Sequence, residues 1–200
     1  MIRRKEMGRR RRTGLIVFTG CMFAGKTDRL IHELEVRVNH AHQKVQVFSP
    51  AIDTRTGLGN IIAKDGYRHS FPAQTIAKAA DILDLVAEDT DLVAVDEAQF
   101  LDAGLVEVCR RLMRHHEVFV AGLDTDFRGE PFGPMPEILA IALRVEKLAA
   151  ICVICGEDAH CTQRLVNGLP AHYHDPIVLP GGTAEGYEAR CLLHHRVERD

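Results

Sequence analysis

The run Gly14-Leu15-Ile16-Val17-Phe18-Thr19 is apolar through its middle, the pattern of a short strand buried on both faces, and it runs into a turn at Gly20. From Lys26 to Asn39 the apolar residues recur at helical spacing, with Leu30, Ile31, Leu34 and Val38 on one face. Val45-Gln46-Val47-Phe48 predicts a second strand, ended by Ser49-Pro50. Residues 53 to 72 mix Gly57, Gly59, Gly66 and Pro72 with polar residues, which predicts a long loop or weak hairpin. Helical spacing returns from Ile76 to Glu88; a strand over Asp91 to Asp96, a helix over Gly104 to His115 and a strand over Val118 to Leu123 follow. Strands alternating with helices imply a parallel sheet covered on both faces, an α/β fold. After residue 150 the texture changes to cysteine, histidine, glycine and short β-like pieces such as Ile177-Val178-Leu179, which places a domain boundary there.

Gly20-Cys21-Met22-Phe23-Ala24-Gly25-Lys26-Thr27 fits G-x-x-x-x-G-K-[ST], between a predicted strand and a predicted helix. The glycines let the backbone curl so that its N–H groups and the helix N-terminus face phosphate oxygens. Lys26 would reach the terminal phosphates, and the Thr27 hydroxyl would ligate magnesium. Such a loop also needs an acid at the end of a neighbouring strand. Val93-Ala94-Val95-Asp96-Glu97 delivers two carboxylates to the sheet edge where ligands collect. Asp96 suits magnesium or its water, and Glu97 suits a base that polarises a nucleophile.

Four of the six cysteines lie between 152 and 191. Cys152-x-x-Cys155 and Cys191-x-x-His194 form a Cys3His set with zinc chemistry, and four protein ligands leave no open position, so the site is structural. His195 is an alternative to His194, and His160 or Cys161 could compete; a merely unpaired Cys161 is the simpler reading. Residues 150 to 200 contain little apolar bulk, so a metal would supply folding free energy that a core of this size cannot.

Composition narrows the class. The 46% apolar and 26% charged fractions of the 200 residues argue against a disordered or fibrous chain, and no apolar run approaches the roughly 20 residues that span a bilayer. The net charge of -3 hides an uneven distribution: residues 1 to 12 carry seven bases against one acid, while the remainder has 27 acids against 18 bases. Residues 1 to 13 read as a disordered basic extension, with Met7 an alternative start. No apolar signal-peptide core follows them, and the cysteine pattern suits a reducing compartment, so cytoplasm is the expected address. An acidic body argues against a zinc-ribbon nucleic-acid module, which needs a basic face. A motor-type P-loop ATPase is the other rival, but Arg128 is the only loop arginine that could act as its finger.

With these motifs in order, the chain closely resembles the type II thymidine kinases from Gly14 to Val197. The resemblance rests on the phosphate loop, Asp53-Thr54-Arg55, Asp96-Glu97-Ala98-Gln99-Phe100, the block from Gly122 to Gly133, Thr162-Gln163-Arg164, and Tyr187-Glu188-Ala189-Arg190-Cys191. It implies a P-loop, RecA-like, mostly parallel sheet over residues 14–150, and a small zinc-binding domain with a lasso loop over 151–200. The implied reaction is transfer of the γ-phosphate of ATP to the 5'-hydroxyl of thymidine or deoxyuridine, in DNA-precursor salvage. Glu97 matches the family's catalytic base. Residues Gly20, Cys21, Met22, Phe23, Ala24, Gly25, Lys26 and Thr27, with Asp96, Glu97, Ala98 and Gln99, match the ATP side, and Arg55 a position near the phosphates. Met22, Phe100, Leu123, Phe127, Phe132 and Thr162 match positions around the nucleoside, and Tyr187 lies in the lasso. Members are typically homotetramers, and many are inhibited by thymidine triphosphate. Cys21 stands where many relatives have proline.

Overall fold

The computed structural model describes residues 12–51, 59–62, 70–177 and 186–199. In chain order its first part comprises β1 (Gly14–Gly20), α1 (Lys26–Asn39), β2 (Val45–Pro50), β3 (Asn60–Ile62), β4 (Ser70–Pro72), β5 (Gln74–Ile76), α2 (Asp81–Leu85) and β6 (Leu92–Val95). A 3-10 turn (Ala98–Phe100) leads to α3 (Gly104–Leu112), β7 (Glu117–Gly122), α4 (Met135–Ile141) and β8 (Arg144–Leu148). Strands β5-β2-β6-β7-β1-β8 form one sheet in that order, every pair of them parallel. The sheet is the parallel one expected. The 53–72 region contributes the short antiparallel pair β3–β4, the weak hairpin of the two alternatives.

Strand alternation decides which residues meet which helices. Leu15 and Val17 of β1, Val93 and Val95 of β6, and Val118 and Val120 of β7 share one core with Leu105, Cys109, Leu112, Met135 and Ile138 of α3 and α4. Their neighbours Phe18, Leu92, Ala94, Phe119 and Ala121 point the other way and pack with Leu30, Ile31 and Leu34 of α1. Both faces are thus covered, and β6 and β7 are buried at every position.

Two expectations change. The helical spacing from Ile76 to Glu88 yields only the five-residue α2, because Ile76 instead ends β5 and pairs with Pro50 at the sheet edge. Ala79 and Ile82 keep the buried positions their spacing suggested, but Val86 is extended (ψ 121°) and stops the helix. Helix α4 and strand β8 carried no clear pattern: β8 is an edge strand that alternates Arg144, Glu146 and Lys147 with half-exposed apolar residues, and its place depends on backbone pairing to β1.

Beyond the sheet, β9 (Ala150–Ile151) pairs with β10 (Asp158–Ala159), and β11 (Cys161–Val166) pairs with β12 (Leu169–Pro170) and β13 (Gly186–Arg190). Of the β-like piece at 177–179, Ile177 lies in a bend and the other two residues fall outside the described ones. So do Asp53, Thr54 and Arg55, and most of the lasso segment.

At the start of β7 a charged network is sealed under α1. Arg37 donates Nε and Nη2 to the two carboxylate oxygens of Glu117 at 3.0 and 2.8 Å, contacts Glu33 one turn earlier, and lies over the Phe119 ring. The Glu117 side chain is 5% exposed and that of Arg37 11%. Glu117→Ala is expected to cost up to about 3 kcal/mol by removing the bidentate partner of Arg37 and leaving it only Glu33. The double variant Arg37→Met with Glu117→Leu should recover much of that loss. Chemical denaturation of the two variants beside the parent checks both statements.

Candidate active site

Because β1 and β6 run parallel, their carboxyl ends put the phosphate loop and the acid pair side by side. Gly20 closes β1 at φ 135°, where a Cβ would meet the Leu148 carbonyl oxygen at 2.2 Å, so only glycine lets the loop leave the sheet beside β8. Gly25 is left-handed and caps α1 without a side chain over its first N–H groups. Lys26 folds over the loop and donates Nζ to the Cys21 carbonyl at 2.7 Å.

The loop is held from outside by the C-terminal strands. Cys21 is fully buried, and its thiol donates to the Ala159 carbonyl at 3.3 Å. Burial pushes that thiol's pKa up, which keeps it a protonated donor. The next residue, Met22, donates its N–H to Thr162 Oγ1 at 3.0 Å.

Thr27 Oγ1 donates to Asp96 Oδ2 at 3.1 Å across the gap between α1 and β6. Asp96 is 5% exposed; burial first, and the adjacent Glu97 second, push its carboxyl up to about 7. Two oxygens of opposite origin facing each other here fit a divalent cation of the magnesium type, which would favour the ionised acid. Glu97 has a left-handed backbone (φ 50°), its N–H donates to Asp96 Oδ1 at 2.9 Å, and its half-buried side chain faces the cleft.

That cleft is open to solvent. Met22, Phe100, Leu123, Phe127, Phe132, Thr162 and Tyr187, the seven residues expected around a nucleoside, all line it, and so do Phe23, Gly25, Lys26, Thr27 and Glu97. Phe100 and Phe132 meet edge to face at 5.5 Å. Phe127 is buried, with the guanidinium groups of Arg164 and Arg128 at 5.2 and 5.7 Å from its centre. Gly20, Cys21, Ala24, Asp96, Ala98 and Gln99 lie behind the wall, not on it. Arg55 is outside the described residues. The sequence did not single out Asp126, which also lines the cleft and is saturated by the N–H groups of Arg128 and Glu130 and the Arg128 guanidinium. Its place inside the Gly122–Gly133 block was the available signal.

The ligand atoms of Cys152, Cys155, Cys191 and His194 lie within 4.8 Å of one another. Measured separations are 3.8 Å for Cys155 to Cys191, 3.7 Å for Cys152 to His194 Nδ1 and 3.2 Å for Cys191 to His194 Nδ1. Zinc bonds of 2.3 Å to sulfur in a tetrahedron predict sulfur edges of roughly 3.7 Å, so the set fits that ion. Burial pushes the Cys152 thiol up, but hydrogen bonds from the backbone at Cys191, Cys155 and Ile154 and from His194 outweigh it and bring it down to about 5, toward the thiolate that metals bind. His194, not His195, lies with the three cysteines; His195 turns away and places Nε2 2.8 Å from the Phe127 carbonyl, His160 is exposed, and Cys161 is buried and unbridged.

Comparison with known proteins gives the family. The profile described as "Thymidine kinase" matches residues 13–195. A thymidine kinase of Coprothermobacter proteolyticus is 50% identical over 184 residues, spanning 92% of this chain and 90% of that protein. Among solved structures, the ATPase DotB of Legionella pneumophila aligns with 74% of this chain and 44% of its own, at 16% identity and a TM-score of 0.43. A family profile matched over residues 13–195, with 50% identity to a thymidine kinase across 92% of the chain, decides the ancestry: the chain belongs to the thymidine kinase family.

Proposed function

We propose that the protein transfers the γ-phosphate of ATP to the 5'-hydroxyl of thymidine or deoxyuridine, giving the monophosphate for DNA-precursor salvage. One observation carries the reading: a single cleft is lined at one end by Lys26 and Thr27, at the other by an aromatic and apolar slot, and between them by Glu97. Phosphoryl transfer asks mainly for alignment and charge neutralisation, which this arrangement supplies.

In this reading the phosphates lie against the N-terminus of α1 and the loop N–H groups, and Lys26 exchanges its bond to the Cys21 carbonyl for the terminal phosphate. Arg55 belongs to the same end by resemblance. Magnesium held by Thr27 and Asp96 would neutralise charge that develops on the phosphate oxygens. Phe100, Phe127, Phe132, Leu123 and Met22 form the flat apolar walls for the base, with Thr162 and Tyr187 the polar edges. Glu97 accepts the proton of the 5'-hydroxyl as it attacks phosphorus.

Zinc in the Cys3His set has a structural role: it fixes β9 and β13, from which Tyr187 and the partners of the phosphate loop are hung. Assembly as a homotetramer belongs to the same reading. It is supported by β8, an outermost strand on which Leu143 and Val145, just before and within it, are 72% and 42% exposed. No described helix is long and apolar enough to cross a membrane. We place the enzyme in the cytoplasm, where six unbridged cysteines persist.

Glu97→Gln is expected to lower kcat by about 100-fold or more, in the range of lost general-base catalysis, while the affinity for ATP stays within about twofold. A coupled assay and a nucleotide titration read the two quantities, and near-normal turnover would remove Glu97 from this role. Chelation of the metal, or Cys152→Ser, is expected to raise backbone hydrogen exchange in 150–199 first and to weaken thymidine binding by about tenfold. An unchanged thymidine affinity after metal removal would contradict it. A panel of deoxynucleosides assayed with ATP and magnesium tests the substrate itself; the pyrimidines thymidine and deoxyuridine should stand above the rest.

A further inference from the structure

Glu97 enters the cleft from a turn with a left-handed backbone, and a glutamate has enough rotamer freedom that its carboxylate needs a second anchor to hold one place. Gln99 provides it. Two residues further on and 2% exposed, it donates Nε2 to Glu97 Oε2 at 2.5 Å and accepts the Leu123 N–H on Oε1 at 2.9 Å. The orientation of this amide follows from its partners. A backbone N–H can only donate, so the carbonyl oxygen faces Leu123 and the NH2 group is left for the carboxylate.

The two groups that the amide joins come from different strands. Glu97 follows β6 and Leu123 follows β7, strands paired in parallel from Leu92 with Glu117 to Val95 with Val120. Leu123 also lines the slot assigned to the nucleoside, as Glu97 lines the route to the phosphates. The amide therefore sets the carboxylate relative to the wall against which the nucleoside would rest. Its seat is closed by two glycines: a Cβ at Gly122 would come within 2.8 Å of Gln99 Oε1, and one at Gly133 within 2.3 Å of the Gln99 carbonyl oxygen. The first glycine thus lets the amide oxygen approach β7, and the second lets the Gln99 backbone approach the turn before α4. Glutamate could satisfy Leu123 but not donate to Glu97; methionine or leucine could do neither.

We propose that Gln99 is a positioning residue for phosphoryl transfer: buried outside the cleft, it holds the Glu97 carboxylate where the 5'-hydroxyl must give up its proton. This rests on the reading of Glu97 as the base. Gln99→Met keeps the length and removes both hydrogen bonds, and Gln99→Glu keeps the acceptor for Leu123 while opposing the carboxylate with a like charge. In steady-state kinetics with thymidine, ATP and magnesium, both variants are expected to lose about 10- to 100-fold in kcat, the scale of a misplaced catalytic group, with both KM values within about twofold. The double-mutant cycle decides. In a Glu97→Ala background followed by radiometric product formation, Gln99→Met should cost less than about twofold, because the group it positions is gone. An equal loss in both backgrounds, or a raised KM with kcat retained, would overturn the proposal. Near-normal turnover of Glu97→Ala alone would overturn the base assignment instead, whatever Gln99 does.

Discussion

The constraint on which the rest depends is the common direction of β1, β6 and β7. Parallel pairing across these three strands brings their carboxyl ends to one edge, so that the turns after Gly20, Val95 and Gly122 converge without any long-range device of their own. Each turn then contributes a different chemical kind: N–H groups and a lysine from the first, carboxylates from the second, an apolar wall and a backbone donor from the third. Burial of β6 and β7 at every position makes that edge stiff, because a shift of either strand would move Val93 and Val95 or Val118 and Val120 out of their core.

The C-terminal strands act on this edge from the far side. Their apolar content is small, an alanine- and cysteine-rich cluster made by Cys21, Ala24, Ala150, Cys152, Ala159 and Ala189, too little to order fifty residues by burial alone. A metal held by the Cys3His set would compensate by fixing two turns at once, and it would fix the scaffold only, since all four ligands would be spent on the ion. The gain for chemistry is indirect: β11 presents Thr162 to the Met22 N–H and Arg164 to the Phe127 ring. Arg164, 1% exposed, replaces water on that ring with a cation that prefers an aromatic face.

What could be read from the chain beforehand follows from how local each signal is. The phosphate loop, the Asp96-Glu97 pair and the two knuckles were legible because their chemistry needs fixed residue types at fixed spacing within a few positions. The strands β1, β6 and β7 were legible because a strand buried on both faces is apolar through its middle, and β2 was legible from Val45, Val47 and Phe48. Strand β8 was not, since it alternates charges with half-exposed Val145 and takes its place from the backbone of β1. The spacing of Ile76, Ala79 and Ile82 did report burial, but sheet pairing of β5 with β2 overrode its helical meaning. The choice of His194 over His195 needed the Phe127 carbonyl, 68 residues away, and the part played by Gln99 needed Leu123 and two distant glycines. No local pattern carries such information.

The bond from the Met22 N–H to Thr162 spans 140 positions, and the one from the Cys21 thiol to Ala159 spans 138. During synthesis, then, the phosphate loop emerges early and can curl against β1 and α1 long before its outer clasp exists. A nascent chain that has completed its sheet at Leu148 still lacks Thr162, Arg164 and Tyr187. The wall of the cleft that carries Thr162 and Tyr187 is therefore added only after the sheet and the phosphate loop have left the ribosome.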